Sequence, residues 1–409
     1  MTLYEFGQKI RKAIKGNYSN LIEKFVTFDL PDDPKYSEKE TIHLFSTTGI
    51  RNSYLTTVAR NMRIAGHNCQ TGETALDRIK PLNSARLFEE MKKSNDSIIG
   101  KAVERGEFKG TLVATLDTHN VYRHSKIAMD GKRKRECSDI KTVVGTKPKD
   151  GSCYAHKYMT IQNVKMENEP PYVLSFGRVL PLQNETEIAR TLLKEAESKV
   201  NATIGLVIAD GGFDDIDSMS MFKEEGKHFV VRADQDKRVK KVIGRVEEKG
   251  KNYHVEFDYI KGNKKRGVNA NLVVIDIKWL GKQGIKYPLK KKGWISFYTD
   301  LYPEENESLR HFCLRVALYY KKRWGIETGY RCINDFKGQT HSLYDSIRLF
   351  LYLQAILLYN LWIQINLQFK DDPDRKKYFR DGIPKSTIKF VMEELARDWL
   401  KERENNSET

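Results

Sequence analysis

Three acidic side chains in this 409-residue chain stand where a hard-oxygen site would need them: Asp117, Asp210 and Glu327. Asp117 closes the apolar run "TLVATLD" and Asp210 closes "TIGLVIAD", both readable as β-strands that end at turn residues. Glu327 lies in "YKKRWGIETGYRCINDFK", Tyr320 to Lys337, where the spacing predicts a helix over 306–338. At about 100° per residue, Tyr320, Arg323, Glu327, Arg331 and Asn334 share one line, mostly cationic with one carboxylate in its middle. A carboxylate with cations one turn away on either side suits a site that holds metal and phosphate together. Carboxylates meeting without His or Cys suit Mg²⁺ or Mn²⁺. Two such ions about 4 Å apart would activate a nucleophilic oxygen and stabilise the leaving oxygen of an in-line phosphoryl displacement. A lone Asp at a strand end is more often a turn former. Two of them, with the Glu-bearing helix and a strongly basic chain, favour the chemical reading.

The three acids can meet only if the elements that carry them pack together. Residues 1–108 read as helical, with the apolar period kept in "SYLTTVARNMRIAG" and "SARLFEEMKKSNDSIIGKAVERG". Arg51, Arg60, Arg63, Arg78, Lys80 and Arg86 recur there, so the stretch is either a small DNA-binding domain, such as a helix-turn-helix variant, or a helical cap. Residues 109–233 change to strand period: "TLVATLD", "CYAHKYMTIQNV" and "PYVLSFGRVLP" come first. A helix over 184–200 with Asn184 as N-cap follows, then "TIGLVIAD", the turn "GGFDD", the helix "IDSMSMFKEEG" and the strand "HFVVRAD". This is a mixed α/β layer whose first and fourth strands would lie side by side, with carboxylates at the strand ends where such sheets place their sites. Residues 234–293 read as a basic, β-rich insertion without a long helix. Residues 294–370 return to the core with the Glu327 helix, and 371–409 form a charged tail with an amphipathic helix near 386–401.

Lys plus Arg, 71, exceed Asp plus Glu, 55, for a formal net charge of +16. That excess points to a polyanionic partner, nucleic acid before membrane surface. Hydrophobic content of 39% and charged content of 31% are those of a soluble globular chain. Five scattered cysteines (Cys69, Cys137, Cys153, Cys313, Cys332) show no zinc-ligand spacing and no disulfide framework, which fits a reducing cytosol. The first twenty residues lack an apolar signal core. Leu349 to Phe369 is 21 residues without a charge, long enough to span a bilayer. Its Gln354, Asn360, Gln364, Asn366 and Gln368 would be costly in lipid, so a helix buried in a protein core is expected and no membrane partner.

The residues now carry a resemblance. Tyr320, Arg323 and Glu327 stand at the spacing of the Tyr-x2-Arg-x3-Glu-x6-Lys signature, and Trp324 fits its common "RWxIE" form. "TLDTHNV" resembles the first-Asp block of that group, "VIADGGFDDI" the second, and "LFLYLQAILLYNLW" its apolar helix. Over about 110–370 the chain resembles DDE insertion-sequence transposases. The resemblance implies a ribonuclease-H-like core, metal-dependent cleavage at transposon ends and strand transfer into target DNA. It implies Asp117, Asp210 and Glu327 as catalytic metal ligands for two Mg²⁺ or Mn²⁺ ions, with Tyr320, Arg323, Arg331 and Lys337 on DNA phosphate. The expected partners are double-stranded DNA, as terminal inverted repeats and target, and a second copy of the chain in the DNA complex. Two positions depart from the group: Asn334 where the signature has Lys, and Gly211 where the second block has Arg. Arg331, about 40° from Glu327 on the wheel, could supply that cation; Lys337, about 80° away, is a poorer substitute. The departures keep two alternatives open, a transposase-derived DNA-binding protein without catalysis and a ribonuclease-H-like nuclease without strand transfer.

Other residues were weighed against the same chemistry. His119 could approach a phosphate, though a structural hydrogen bond is the commoner role for such a residue. Asp214 and Asp215 look like N-caps for the following helix. Trp294 and Trp324 are candidate platforms for an extruded base, while core packing is the default for Trp279. No Walker loop, dinucleotide fingerprint or EF-hand loop is present.

Overall fold

The structure, a computed structural model, describes residues 1–19, 26–28, 30, 35–122, 142–149, 152–164, 171–262, 267–285, 293–342 and 344–407. The chain divides into two compact units: Met1–Glu107, Asn120–Lys157 and Gly329–Thr409 form one, Phe108–His119 and Tyr158–Thr328 the other. Neither is a contiguous stretch of sequence.

The strands are β1 Leu112–Tyr122, β2 Val144–Lys149, β3 Ser152–Val164, β4 Val173–Val179, β5 Ile204–Ala209, β6 His228–Arg232, β7 Tyr253–Gly262, β8 Gly267–Asp276 and β9 Trp294–Thr299. They form one mixed sheet in the order β2-β3-β1-β5-β6-β9-β8-β7, with β4 on β3. The expected adjacency of the two Asp-bearing strands is present. β1 and β5 run parallel to the pair Leu116–Ala209, and β5 and β6 run parallel to the pair Ala209–Val231. β6–β9, β8–β9 and β7–β8 are antiparallel.

In the second unit the near-continuous apolar runs of β5 and β6 are buried, as expected of parallel strands covered on both faces. The helix Leu309–Lys322 lays Phe312, Cys313, Val316, Ala317 and Tyr320 against Ile208, Val230, Val273, Ile275, Ile295 and Phe297 of that sheet. The helix Glu185–Val200 is capped by Asn184, as expected, and its Leu192 carbonyl accepts from Ser175 Oγ of β4 at 2.8 Å.

Three local expectations are corrected. β1 does not end on Asp117: that residue is sixth of eleven, and the strand continues after its pairing with β5 stops because β3 lies on its other side. Residues 234–293 contain a twelve-residue helix, Lys237–Glu248, and β7 and β8 extend the common sheet. Its apolar stripe consists wholly of β-branched Val239, Val242, Ile243 and Val246, which favours a strand reading although the spacing is helical. Residues 263–266 and 286–292 of that stretch lie outside the described residues, as do Cys137 and the last two residues of the tail. Thirdly, 306–338 is not one helix. The chain turns at Arg323 between Leu309–Lys322 and Trp324–Asp335, with Arg323 N bonded to Tyr320 O and Ile326 N to Arg323 O.

Besides β2 and the adjoining parts of β1 and β3, the first unit is helical, as expected of its N-terminal part: Leu3–Tyr18, Glu38–Ile50, Leu55–Ile64, Gly72–Ile79 and Ser84–Glu104, then Asp345–Gln368, Pro373–Tyr378 and Lys385–Ser407. By length and composition Asp345–Gln368 could cross a membrane, yet 94% of its most apolar window is buried inside the protein. Two of its amides find partners there: Gln354 Nε2 donates to Ser46 Oγ at 2.6 Å and Asn360 Nδ2 to Asn95 Oδ1 at 2.7 Å. That pairing is what lets an apolar helix carry buried amides.

Candidate active site

Extending the register of β1, β5 and β6 by one residue puts Asp117, Asp210 and Arg232 in one row at the end of the paired region. Neighbours in such a row point to the same face of the sheet. Asp117 is 6% exposed. Its Oδ1 accepts from Thr118 N at 2.7 Å and its Oδ2 from Arg323 Nη1 at 3.0 Å. Asp210 caps the short 3₁₀ turn Gly211–Phe213, its Oδ1 accepting from Gly212 N at 2.8 Å. The two carboxylates feel each other. Burial first, and then the Asp210 charge, push the Asp117 carboxyl up to about 7, against the Arg323 guanidinium and the Thr118 amide.

The turn between the two helices exists to place Arg323. Its guanidinium bridges Asp117 and Glu327, with Nη2 donating to Glu327 Oε1 at 2.5 Å. Burial alone would lower its pKa, but Tyr320, Asp117, Glu327 and Asp210 together hold it above the ordinary arginine range. Tyr320 is buried with its ring 4.9 Å from Phe297, and the Arg323 guanidinium sits 5.4 Å over that ring. Burial raises the Tyr320 phenol, while the charges of Arg323 and Arg232 oppose the rise.

Glu327 differs from the other two acids. Its side chain is 52% exposed and turned to Arg323. Among the described residues no three Asp, Glu, His or Cys side chains converge on one ion position. The expected three-acid cluster is therefore an arginine-bridged set: the guanidinium stands between Asp117 and Glu327. The donor set still fits a hard divalent cation, because a buried carboxylate raised by its acidic neighbour is one that an added positive charge would stabilise.

The remaining predicted residues spread out. Arg331 is exposed one turn beyond Glu327 in Trp324–Asp335, and Asn334 is half-buried with Oδ1 lacking a hydrogen bond. Lys337 is half-buried beyond that helix, its pKa lowered by burial and by Arg348. Trp324 opens the helix half-buried. Trp294, also half-buried, donates through Nε1 to Glu247 Oε1 at 2.5 Å, and Trp279 packs on Tyr253 at 4.8 Å. Asp215 caps Ile216–Glu224 as expected, whereas Asp214 instead pairs with Lys261 at 2.7 Å. At Gly211 a Cβ would meet nothing closer than Asp234 Oδ1 at 3.4 Å, so a larger residue is not excluded by space.

Residues 164–361 match the transposase DDE domain family. The DDE-domain match takes in Asp210 and the whole Tyr320–Glu327 segment and begins after Asp117. The fold is similar to that of the piggyBac transposase in a cryo-EM synaptic complex with hairpin DNA, with a TM-score of 0.59 and 10% identity. That similarity covers 97% of this chain and 79% of the other. No curated protein matches the chain.

Sequence reasoning missed Arg232. It is an exposed cation at the carboxyl end of a parallel strand, one strand beyond Asp210. The signal was present in "HFVVRAD", but only the sheet order makes β6 the neighbour of β5.

Proposed function

We propose that the chain is a DNA transposase that cleaves DNA at transposon ends and joins the freed 3′-hydroxyl to target DNA. The observation that carries this reading is the Asp117–Asp210 row with Arg323 set against it, inside a chain that matches the DDE domain over 164–361. Asp117, Asp210 and Glu327 would hold the divalent ions, Mg²⁺ or Mn²⁺, which in such a site supply activation of the attacking oxygen and neutralisation of the leaving one. The protein's own part is positional. Arg323 keeps Asp117 and Glu327 oriented, and its charge, with that of Arg232, draws the scissile phosphate to the carboxylates. Tyr320 supports Arg323 from below with its ring. Trp294 and Trp324 would take a base displaced from the duplex. The piggyBac complex holds DNA, which supports double-stranded DNA as partner here, with two copies of the chain bringing two ends together.

Asn334, where the signature has Lys, and Gly211, where the second block has Arg, favour one competing reading: a DNA-binding descendant without chemistry. A plasmid carrying the DNA that flanks the gene separates the two. Wild-type protein with Mg²⁺ should cut it at a defined end, Asp210→Asn should lose at least 100-fold of that rate (about 2.7 kcal/mol) while keeping DNA affinity, and a chelator should stop cutting. Binding without any cutting, in either metal, would establish the competing reading.

A further inference from the structure

The site leaves the helix Lys237–Glu248 unexplained, although it begins five residues after Arg232. Val239, Val242, Ile243 and Val246 bury one stripe, and the opposite side exposes Lys237, Arg238, Lys240, Lys241 and Arg245. Four of these cations fall in the first five residues, where the positive end of the helix disfavours them. The N-cap Asp236 is already engaged there, its Oδ1 accepting from the Arg238 and Val239 amides at 2.8 and 2.9 Å. Two arginines hold the helix to the adjacent hairpin: Arg238 donates to the Gly262 carbonyl and Arg245 pairs with Glu256 at 2.9 Å. The side chains of Lys237, Lys240 and Lys241 have no ion-pair or hydrogen-bond partner among the described residues. Gly244 lies between them on the wheel, and a Cβ there would meet nothing within 4 Å, so the face is open.

We propose that this lysine face is a second contact for DNA, gripping the phosphate backbone of the same duplex whose reacting phosphate lies at the Asp117–Asp210 row. It rests on the reading of the chain as a DNA-cleaving enzyme and adds where the duplex runs. Charge complementarity selects the occupant: no carboxylate stands among the three lysines in the first two turns, and the chain's net charge is +16. Chain geometry sets the distance. Five connecting residues span at most about 17 Å and the four helical residues on to Lys241 add about 6 Å, while phosphates follow one another at about 3.4 Å of rise per strand. The gripped phosphates therefore lie within about seven base steps of the one beside Arg232.

The full-length chain is tested with a blunt duplex of about 30 base pairs across a salt series. Each lysine that neutralises a phosphate adds about 0.9 to the slope of log affinity against log salt. Replacing all three (Lys237→Ala, Lys240→Ala, Lys241→Ala) should therefore lower the slope by about 2.7, with circular dichroism and melting unchanged. The matching triple Lys→Arg variant should keep the wild-type slope. A steep wild-type slope that the alanine variant shares overturns this proposal and leaves the transposase reading standing. Absence of any salt-dependent DNA binding by the wild type overturns both. Single methylphosphonate substitutions then place the contact: those that weaken wild type but not the alanine variant should fall within about seven steps of the cut, and positions elsewhere would refute the placement.

Discussion

At the scale of single residues, Asp117 is where stability and chemistry pull in opposite directions. Its folded pKa of about 7 lies above the ordinary 3.8. Between those values the folded protein holds a proton that the unfolded chain has released. Stability of the metal-free protein should accordingly fall as pH rises from about 4 to about 7, and level off above. Each unit of such a shift corresponds to about 1.4 kcal/mol. Asp117→Asn removes the buried charge and keeps one acceptor oxygen, enough for Arg323 or for the Thr118 amide but not for both. It should melt at or above the wild-type temperature near pH 8 while losing cleavage, and should lack the wild-type gain on acidification. Melting curves at about pH 5 and 8 decide the matter; a variant less stable than wild type at both would mean that the ionised carboxylate is structural.

At the scale of elements, close backbone approach fixes the helical unit. A Cβ on Gly49, in the helix Glu38–Ile50, would lie 2.3 Å from the Phe336 carbonyl oxygen and 3.6 Å from Leu358 Cδ1. From the opposite side, a Cβ on Gly338 would lie 2.9 Å from Thr48 Cγ2. The obstacle at Gly49 is backbone, which cannot swing aside as a side chain tip can. Gly49→Ala should therefore destabilise by about 1–3 kcal/mol, as overpacking does, against the small gain that Ala normally brings to a helix interior. Urea unfolding measures it, and a neutral or stabilised variant would show that the two segments are not in contact in solution. The elements also show why wheel arithmetic over 306–338 misled. Tyr320 and Glu327 share a line only in an uninterrupted helix, and the turn at Arg323 sends the first residue into the core and the other to solvent. No Gly or Pro stands at Arg323 itself, and Gly325 lies within the following helix; at the turn Arg323 meets Asp117.

At the scale of the whole molecule, a net charge of +16 is a statement about partners and rates, not about fold. If six to ten phosphates are contacted, affinity for duplex DNA should drop by about 10³–10⁵ between 50 and 200 mM salt. A fluorescence-anisotropy titration reads this directly, and an affinity indifferent to salt would remove nucleic acid as the partner. The same scale shows how composition can mislead. Asp345–Gln368 is long and apolar enough to cross a membrane, but it is buried in the protein, where Gln354 and Asn360 find partners on Glu38–Ile50 and Ser84–Glu104.

Local chemistry determined much by itself. The period-2 and period-3.6 patterns located most strands and helices, side chains with strong local preferences placed the caps at Asn184 and Asp215, and the apolar runs of β5 and β6 marked them as strands. The residue types at 117, 210, 320, 323 and 327 also carry the proposal of hard-metal phosphoryl chemistry. Tertiary structure alone decided the rest, because those facts depend on residues distant in sequence. The order β1-β5-β6 added Arg232 beside Asp210, the turn at Arg323 put a guanidinium between two acids, and burial rather than sequence neighbours pushed the Asp117 carboxyl up. Register, burial and the place where a helix breaks are set by what packs against a segment, and no window along the chain contains that information.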